Sequence, residues 1–481
     1  MEIILTDKKD ARVFISGKFA VIHSGHIRLF MFAKTIGSFL TVALDVVGLE
    51  EAEIEWRSNF LRTQNFIDEV VLFESDLKKL IMDLKPDFVI KGNEFASQFN
   101  LEGEVAAMYG GELIFSSGST FFSERDLLHS TEDSSVSFNY KIPNDFLKRN
   151  NIDLSEIKAQ ILKFKNIRVC VIGDLIIDEY INCHPLGMSR EEPTLVVTPI
   201  DSQKFLGGAG IVAAHTAALG AKTTLISIIG NDINGTWAAS EAANYAVEFK
   251  SIQDKTRPTN LKQRFRSGSH SLLKVSHLSQ DKVNKIIQSQ IIEEFERLAK
   301  NIDILILSDF SYGVFTAEIS ESLIRIAKNN GITISADSQT SSQVGDLSRF
   351  KEVDLLTPTE IEARTELKDF TSGLAVITEK LRNRIKPQVI LVKVGADGVV
   401  IGGTNSKGLP VILDALPSLN INPVDVSGAG DSLLAAASLG LFVENNPSKA
   451  ALIGSITAAV QISRIGNIPV TSKQLLEAID A

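Results

Sequence analysis

The chain has 481 residues, enough for about two to four domains of ordinary size. Hydrophobic residues make up 44% and charged residues 22%, the balance of a globular protein with a sizeable core, and a net charge of −10 argues against bulk binding to nucleic acid or to an anionic membrane. Two cysteines, Cys170 and Cys183, without a CxxC or Cys/His cluster, exclude a disulfide framework and a structural zinc site and fit a reducing, cytoplasmic setting.

Residues 1–12 hold no long apolar run after a basic stretch, so no secretory leader is expected. No segment reaches the roughly 18 uninterrupted apolar residues of a membrane span. A first α/β pattern opens with a buried-strand run at 11–16. A helix over 27–36, a strand at 39–45, a helix around 53–67 and a strand at 69–73 follow. A helix at 76–84 is stopped by Pro86, and strands come at 87–91 and 112–115. Such alternation implies a parallel sheet covered on both faces. The pattern fades after Leu128, and the polar stretch 129–150 reads as a connector, followed by a helix at 154–165. A second pattern opens with a strand at 167–172 and runs to the end, with strong strands at 223–229, 302–307, 333–336 and 389–393. The expected division is therefore 1–130, a connector with a helix at 131–165, and 166–481.

The second pattern carries the clearest chemistry. In Gly428-Ala429-Gly430-Asp431 the glycines permit tight turns, and the apolar run that follows reads as a helix. Loop amides and helix N-terminus then converge on one point, a ready anion site. Asp431 there can take a proton from a sugar hydroxyl while the amides hold the moving phosphoryl group. A plain helix cap after a glycine turn would look the same. Gly207 and Gly208 precede another small-residue helix, and Asp174 and Asp178 lie four apart just after the first strand, where ligands of open α/β sheets bind. A turn role for Asp174 is the alternative.

Six segments in order, VIGDLIIDEYI (171–181), FLGGAGIVAAHTAALGA (205–221), LILSDFSYGVFT (305–316), DLLTPTEIEA (354–363), ILVKVGADGVV (390–400) and DVSGAGDSLLA (425–435), resemble the ribokinase-like (PfkB) sugar kinases. Within that family the likeness is greatest to the heptose 7-phosphate kinase half of bifunctional ADP-heptose synthesis enzymes. The resemblance implies an α/β domain with a small β lid, Mg2+ and ATP as cofactors, and a small-molecule sugar phosphate as substrate. It implies Asp431 as base and the 428–430 amides as anion hole. Asp174, Asp178, Gly207 and Gly208 would hold the sugar, Glu362 would act through the magnesium shell, and Lys393 and Gly395 would lie beside the nucleotide. Arg190, Arg264 and Lys274 are candidates to meet a sugar-borne phosphate; solvated surface charge is their other reading. The stretch 186–205 resembles a lid that also makes homodimers. Thr359 stands where the family usually has asparagine, and Asp337-Ser338-Gln339 where heptose kinases have Asp-Pro-Lys.

In the first pattern, His23-Ser24-Gly25-His26 sits between a strand and a helix. Imidazoles at a helix N-terminus can bind nucleotide phosphates and stabilise charge at the α-phosphorus. The segment resembles the HxGH cytidylyltransferase-like family, with a Rossmann-like fold, as do 85–92 and the hydroxyl-rich run with Ser119, Thr120 and Arg125, placed to bind triphosphate. Ala20 and Phe121 replace a usual acidic or amide residue and a threonine. The resemblance implies transfer from a nucleoside triphosphate, ATP or CTP, onto a sugar 1-phosphate. Two readings result: a bifunctional heptose 7-phosphate 1-kinase and nucleotidyltransferase with the domain order reversed, or a kinase of another sugar whose N-terminal domain serves binding or assembly.

Overall fold

A computed structural model of the chain describes residues 11–19, 24–64, 67–74, 76–92, 100–116, 142–189, 191–192, 194–267, 270–339, 345–404, 410–420 and 422–480. The chain divides into two compact units, Met1–Val136 and Ser137–Ala481. Among the described residues no helix is long and apolar enough to cross a membrane.

The first unit alternates β1 (Arg12–Gly17), α1 (Ser24–Ile36), β2 (Phe39–Asp45), α2 (Glu51–Arg62), β3 (Glu69–Phe73), α3 (Leu77–Leu84), β4 (Phe88–Gly92), α4 (Leu101–Ala107) and β5 (Glu112–Ser116). The strands are all parallel, in the order β3-β2-β1-β4-β5. Successive strand side chains point to opposite faces. Val13 and Ile15 therefore pack with Phe30 of α1 and Leu61 of α2, while Phe14 packs with Ile81 of α3 and Val105 of α4. Asp76 caps α3 by accepting from the Lys79 N–H, and the left-handed Lys85 before Pro86 ends it. The sequence missed α4. Chain order reverses between β1 and β4, so their carboxyl ends flank the crevice in which such sheets bind ligands.

The second unit begins earlier than the sequence suggested. Within the stretch read as a polar connector, α5 (Asn144–Arg149) buries Phe146 completely, and α6 (Leu154–Lys163) buries Ile157 and Ile161 in the same core. Arg149 clamps Asp414 through two hydrogen bonds of 3.1 and 2.9 Å. Then come β6 (Arg168–Gly173), β7 (Leu175–Met188), β8 (Leu195–Gly208), α7 (Ala209–Ala218), β9 (Lys222–Ile229), α8 (Ile233–Asn244), β10 (Glu248–Gln253), β11 (Leu261–Ser267), β12 (His270–His277), α9 (Lys285–Leu298), β13 (Ile304–Asp309), α10 (Ala317–Asn329) and β14 (Thr333–Ser338). The chain continues with β15 (Leu355–Leu356), α11 (Glu360–Leu367), α12 (Leu374–Ile385), β16 (Val389–Lys393), β17 (Val399–Thr404), β18 (Pro410–Leu416), α13 (Ala429–Val443), α14 (Pro447–Gln461) and α15 (Ser472–Asp480).

A nine-stranded sheet, β10-β9-β6-β13-β14-β15-β16-β17-β18, is parallel as far as β16 and closes with an antiparallel pair. Its two faces carry separate apolar cores. In β6, Val169 and Val171 face α7 and α13–α15, while Cys170 and Ile172 face α9, α10 and α12. A second sheet, β12-β11-β7-β8, forms a four-stranded lid. Only Asp174 separates β6, in the large sheet, from β7, in the lid.

Candidate active site

The carboxyl ends of β6, β14 and β16, the start of α13 and the lid strands β7 and β11 bring the candidate residues together. Gly428 caps α13 in the left-handed conformation, φ 77°. A Cβ there would stand 2.3 Å from Asn467 Oδ1, so no other residue fits without displacing Asn467. The turn directs the 428–430 segment and the helix N-terminus toward Asp431, which lies in the first turn and is buried. Gln339 Nε2 donates to Asp431 Oδ1 at 2.9 Å. Burial pushes the Asp431 carboxyl up to about 7; the Asp337 charge adds to this and Lys393 opposes it.

Lys393, the last residue of β16, donates to Asp337 Oδ2 at 2.9 Å. Burial alone would lower the Lys393 ammonium, but the Asp337 and Glu362 charges outweigh it and hold it up. Burial likewise lifts Asp337 to about 6 against the pull of Lys393. Glu362 closes a capping box at the start of α11: its carboxylate accepts from Thr359 N at 2.6 Å, and the Thr359 hydroxyl accepts from Glu362 N at 3.2 Å. Threonine at 359 thus keeps the glutamate oriented. Gly395, φ 61°, opens onto free space beside this group.

Asp178, on the lid strand β7, is buried and held by Asn467 Nδ2 at 3.1 Å. Arg264 approaches its Oδ1 at 3.6 Å, an ion pair too long for a hydrogen bond. Burial raises the Asp178 carboxyl against the charges of Arg264 and Lys262. Gly207 lies against it, since a Cβ there would stand 2.5 Å from Asp178 Oδ2. Gly208, φ 57°, lets the chain turn from β8 into α7 over the Asp174 carbonyl.

Asp174, expected to hold the sugar with a turn role as the alternative, takes part in a turn. Its carboxylate accepts from the backbone N–H groups of Phe310 (2.8 Å), Tyr312 (3.2 Å) and Val314 (3.3 Å), so it braces that turn. Arg264, a candidate for a sugar-borne phosphate, donates to Ser427 Oγ at 2.7 Å and lies over the Tyr180 ring. Lys274, directly opposite Arg264 on β12, is exposed. Sequence reasoning marked Gln339 as a departure without giving it a role, and missed Asn467, Lys262 and Tyr180, whose hydroxyl donates to Asp425 Oδ2 at 2.9 Å. Alternation along β11 could have found Lys262, two residues from Arg264 and so on the same face; nothing local marks Asn467.

In the first unit, the crevice between β1 and β4 holds a compact polar cluster. Lys91 Nζ and Ser16 Oγ both donate to Glu102 Oε1, at 2.8 and 3.0 Å. Burial of Glu102 is outweighed by these bonds, which hold its carboxyl below the usual range. Gly25 lies in the first turn of α1, and the His26 ring packs edge-on against Phe19 at 5.2 Å. His23, Ser119, Thr120, Arg125 and Arg190 lie outside the described residues.

Residues 166–474 match the pfkB family carbohydrate kinases. The chain belongs to that family. Its kinase unit has the ribokinase-like fold: Thermotoga maritima ribokinase superposes with a TM-score of 0.52 at 19% identity, covering 66% of this chain and all (100%) of that one. Escherichia coli phosphofructokinase-2, solved with substrates and products, gives 0.53 at 18% identity, over 65% of this chain and 99% of that one. Two curated relatives named bifunctional protein HldE are similar in sequence: that of Sulfurimonas denitrificans is 29% identical over 325 residues, and that of a Nitratiruptor species 26% over 318. These matches cover 66% and 64% of this chain, and the chain spans just under two thirds of the relatives' own length, 65% and 64%.

Proposed function

We propose that this pfkB-family kinase uses ATP to phosphorylate the anomeric hydroxyl of a sugar phosphate, D-glycero-D-manno-heptose 7-phosphate, with Asp431 as base. The observation that carries this reading is the buried Asp431 carboxylate at the amino end of α13, one oxygen tied to Gln339 and the other without a hydrogen bond among the described residues. Asp178, steadied by Asn467, would accept from sugar hydroxyls across the Gly207 surface. Lys274 and Lys262, on the lid face of Arg264, would meet the sugar's own phosphate; Arg264 itself would hold Asp178 and the Ser427 loop. The 428–430 amides would receive the transferred phosphoryl group, with Lys393 and Gly395 beside the nucleotide.

Among the described residues no cluster of three His, Cys, Asp or Glu side chains could hold a metal directly. Glu362, its carboxylate oriented by the Thr359 N–H, would hold magnesium arriving with ATP through water, where the ion would draw charge off the phosphates. Replacing Asp431 by Asn should lower kcat by about 10²–10⁴-fold, the range of a general base. A variant with near-native phosphorylation in a coupled ADP assay would remove Asp431 from that role.

The first unit is proposed to pass a nucleotidyl group from ATP or CTP to the sugar 1-phosphate, with His23, His26 and Gly25 at the phosphates. Ser119, Thr120 and Arg125 would bind the triphosphate. The Lys91–Glu102 pair favours a second reading, in which this unit binds without catalysis, because a cation at the crevice is already neutralised. Pyrophosphate release with heptose 1-phosphate, lost in His26→Ala, supports the first; no release with any sugar 1-phosphate supports the second. The lid is proposed to pair two copies of the chain, since Leu186, Met188 and Ile200 at the end of its hairpin are 61–68% exposed.

A further inference from the structure

We infer that Gln339 is a positioning residue for phosphoryl transfer: its amide clamps one oxygen of Asp431, so the other alone meets the acceptor hydroxyl. The inference rests on the reading of Asp431 as base. Gln339 follows directly on β14, and its backbone N–H donates to the Asp309 carbonyl at 2.8 Å, which fixes where the side chain starts. Its Nε2 then reaches Asp431 Oδ1 at 2.9 Å. The nearby ammonium does not do this work, because Lys393 Nζ turns to Asp337 Oδ2 at 2.9 Å. Among the described residues Gln339 is therefore the only hydrogen-bond donor to the Asp431 side chain. Gly430 lies against both side chains: a Cβ there would stand 3.2 Å from Lys393 Nζ and, in ordinary contact, 3.9 Å from Gln339 Nε2.

A carboxylate with both oxygens unrestrained can rotate its lone pairs away from the hydroxyl. Tying one oxygen to a neutral donor fixes the plane of the group without adding a charge beside Asp337, Lys393, Asp178 and Lys262, which already surround it. Heptose kinases, by resemblance, carry lysine at this position, also a donor but a charged one.

Gln339→Leu and Gln339→Met remove the donor at similar volume. Both should fold, as judged by thermal melting, and lower kcat about 10–100-fold, the worth of a hydrogen bond to a charged group, while KM for ATP and heptose 7-phosphate hold. Gln339→Lys, which keeps a donor, should recover most of that loss. The same ratios are read on the slow transfer to water during Mg-ATP hydrolysis, so the result does not depend on naming the sugar. A folded donorless variant with native kcat, or a loss confined to KM, overturns the inference. If Asp431→Asn stays active, the base assignment itself has failed; if it is inactive while donorless Gln339 variants are unimpaired, only the role of Gln339 has.

Discussion

At the scale of single residues, the kinase unit stores unfavourable burial where it needs reactivity. Burial pushes the Asp431 carboxyl up to about 7, so the carboxylate proposed as the base is fully formed only above neutrality. The rate of phosphoryl transfer should therefore climb with pH through about 7 and level off above it, measured as kcat across a buffer series. Stability moves the opposite way. Because the folded carboxyl holds its proton more tightly than the unfolded one, raising the pH from about 4 to 7 costs the folded state progressively. Asp431→Asn should escape this cost, so its unfolding midpoint in urea should gain on the native enzyme between pH 5 and pH 8. Gly428→Ala tests the loop: a left-handed alanine costs roughly 1–2 kcal/mol, and the displaced Asn467 should release Asp178 and raise KM for the sugar. The sequence made Asp431, Asp178 and the glycines legible because each sits in a motif whose backbone demands are local. For Asp174 the sugar and turn readings stayed open in the sequence, since its three backbone partners lie 136 to 140 residues away and only the fold brings them to its carboxylate.

At the scale of elements, ten strands were legible to within two residues, because buried parallel strands read as apolar runs bounded by turns, whereas the lid strands β7, β8, β11 and β12 and the strands β10, β15, β17 and β18 were not placed. Nor were helices at unit edges. α5 follows a polar tract and has six residues, too few for periodicity to register, yet Phe146 is sealed in the kinase core. Replacing Phe146 by Ala should destabilise the second unit by about 3–5 kcal/mol, seen as a lower midpoint in guanidinium. A fragment starting at residue 137 should likewise outlast one starting at 166 in limited proteolysis. In the basic run 380–386, Arg382 is buried in α12, donating to the carbonyls of Pro387 and Gln388 at 3.1 and 3.0 Å.

At the scale of the whole molecule, composition and pattern foretold an all-α/β chain. Two units form, each with its own parallel sheet and with apolar cores on both faces. The assembly proposed for the lid has a direct test: Ile200→Asp should shift the sedimentation coefficient from dimer to monomer. One connection has a kinetic consequence. The strand that leaves the large sheet after Gly173 enters the lid at Leu175, with the Asp174 brace between, and three residues later carries Asp178. The lid has no loose tether on this side, and Asp178, the anchor proposed for the sugar, is part of the lid strand itself. Amide protons of 175–188 should therefore slow their exchange with deuterated solvent when sugar is added alone. Nucleotide added alone should protect the 428–431 turn and leave that strand unchanged, a footprint that separates the two ligands in time.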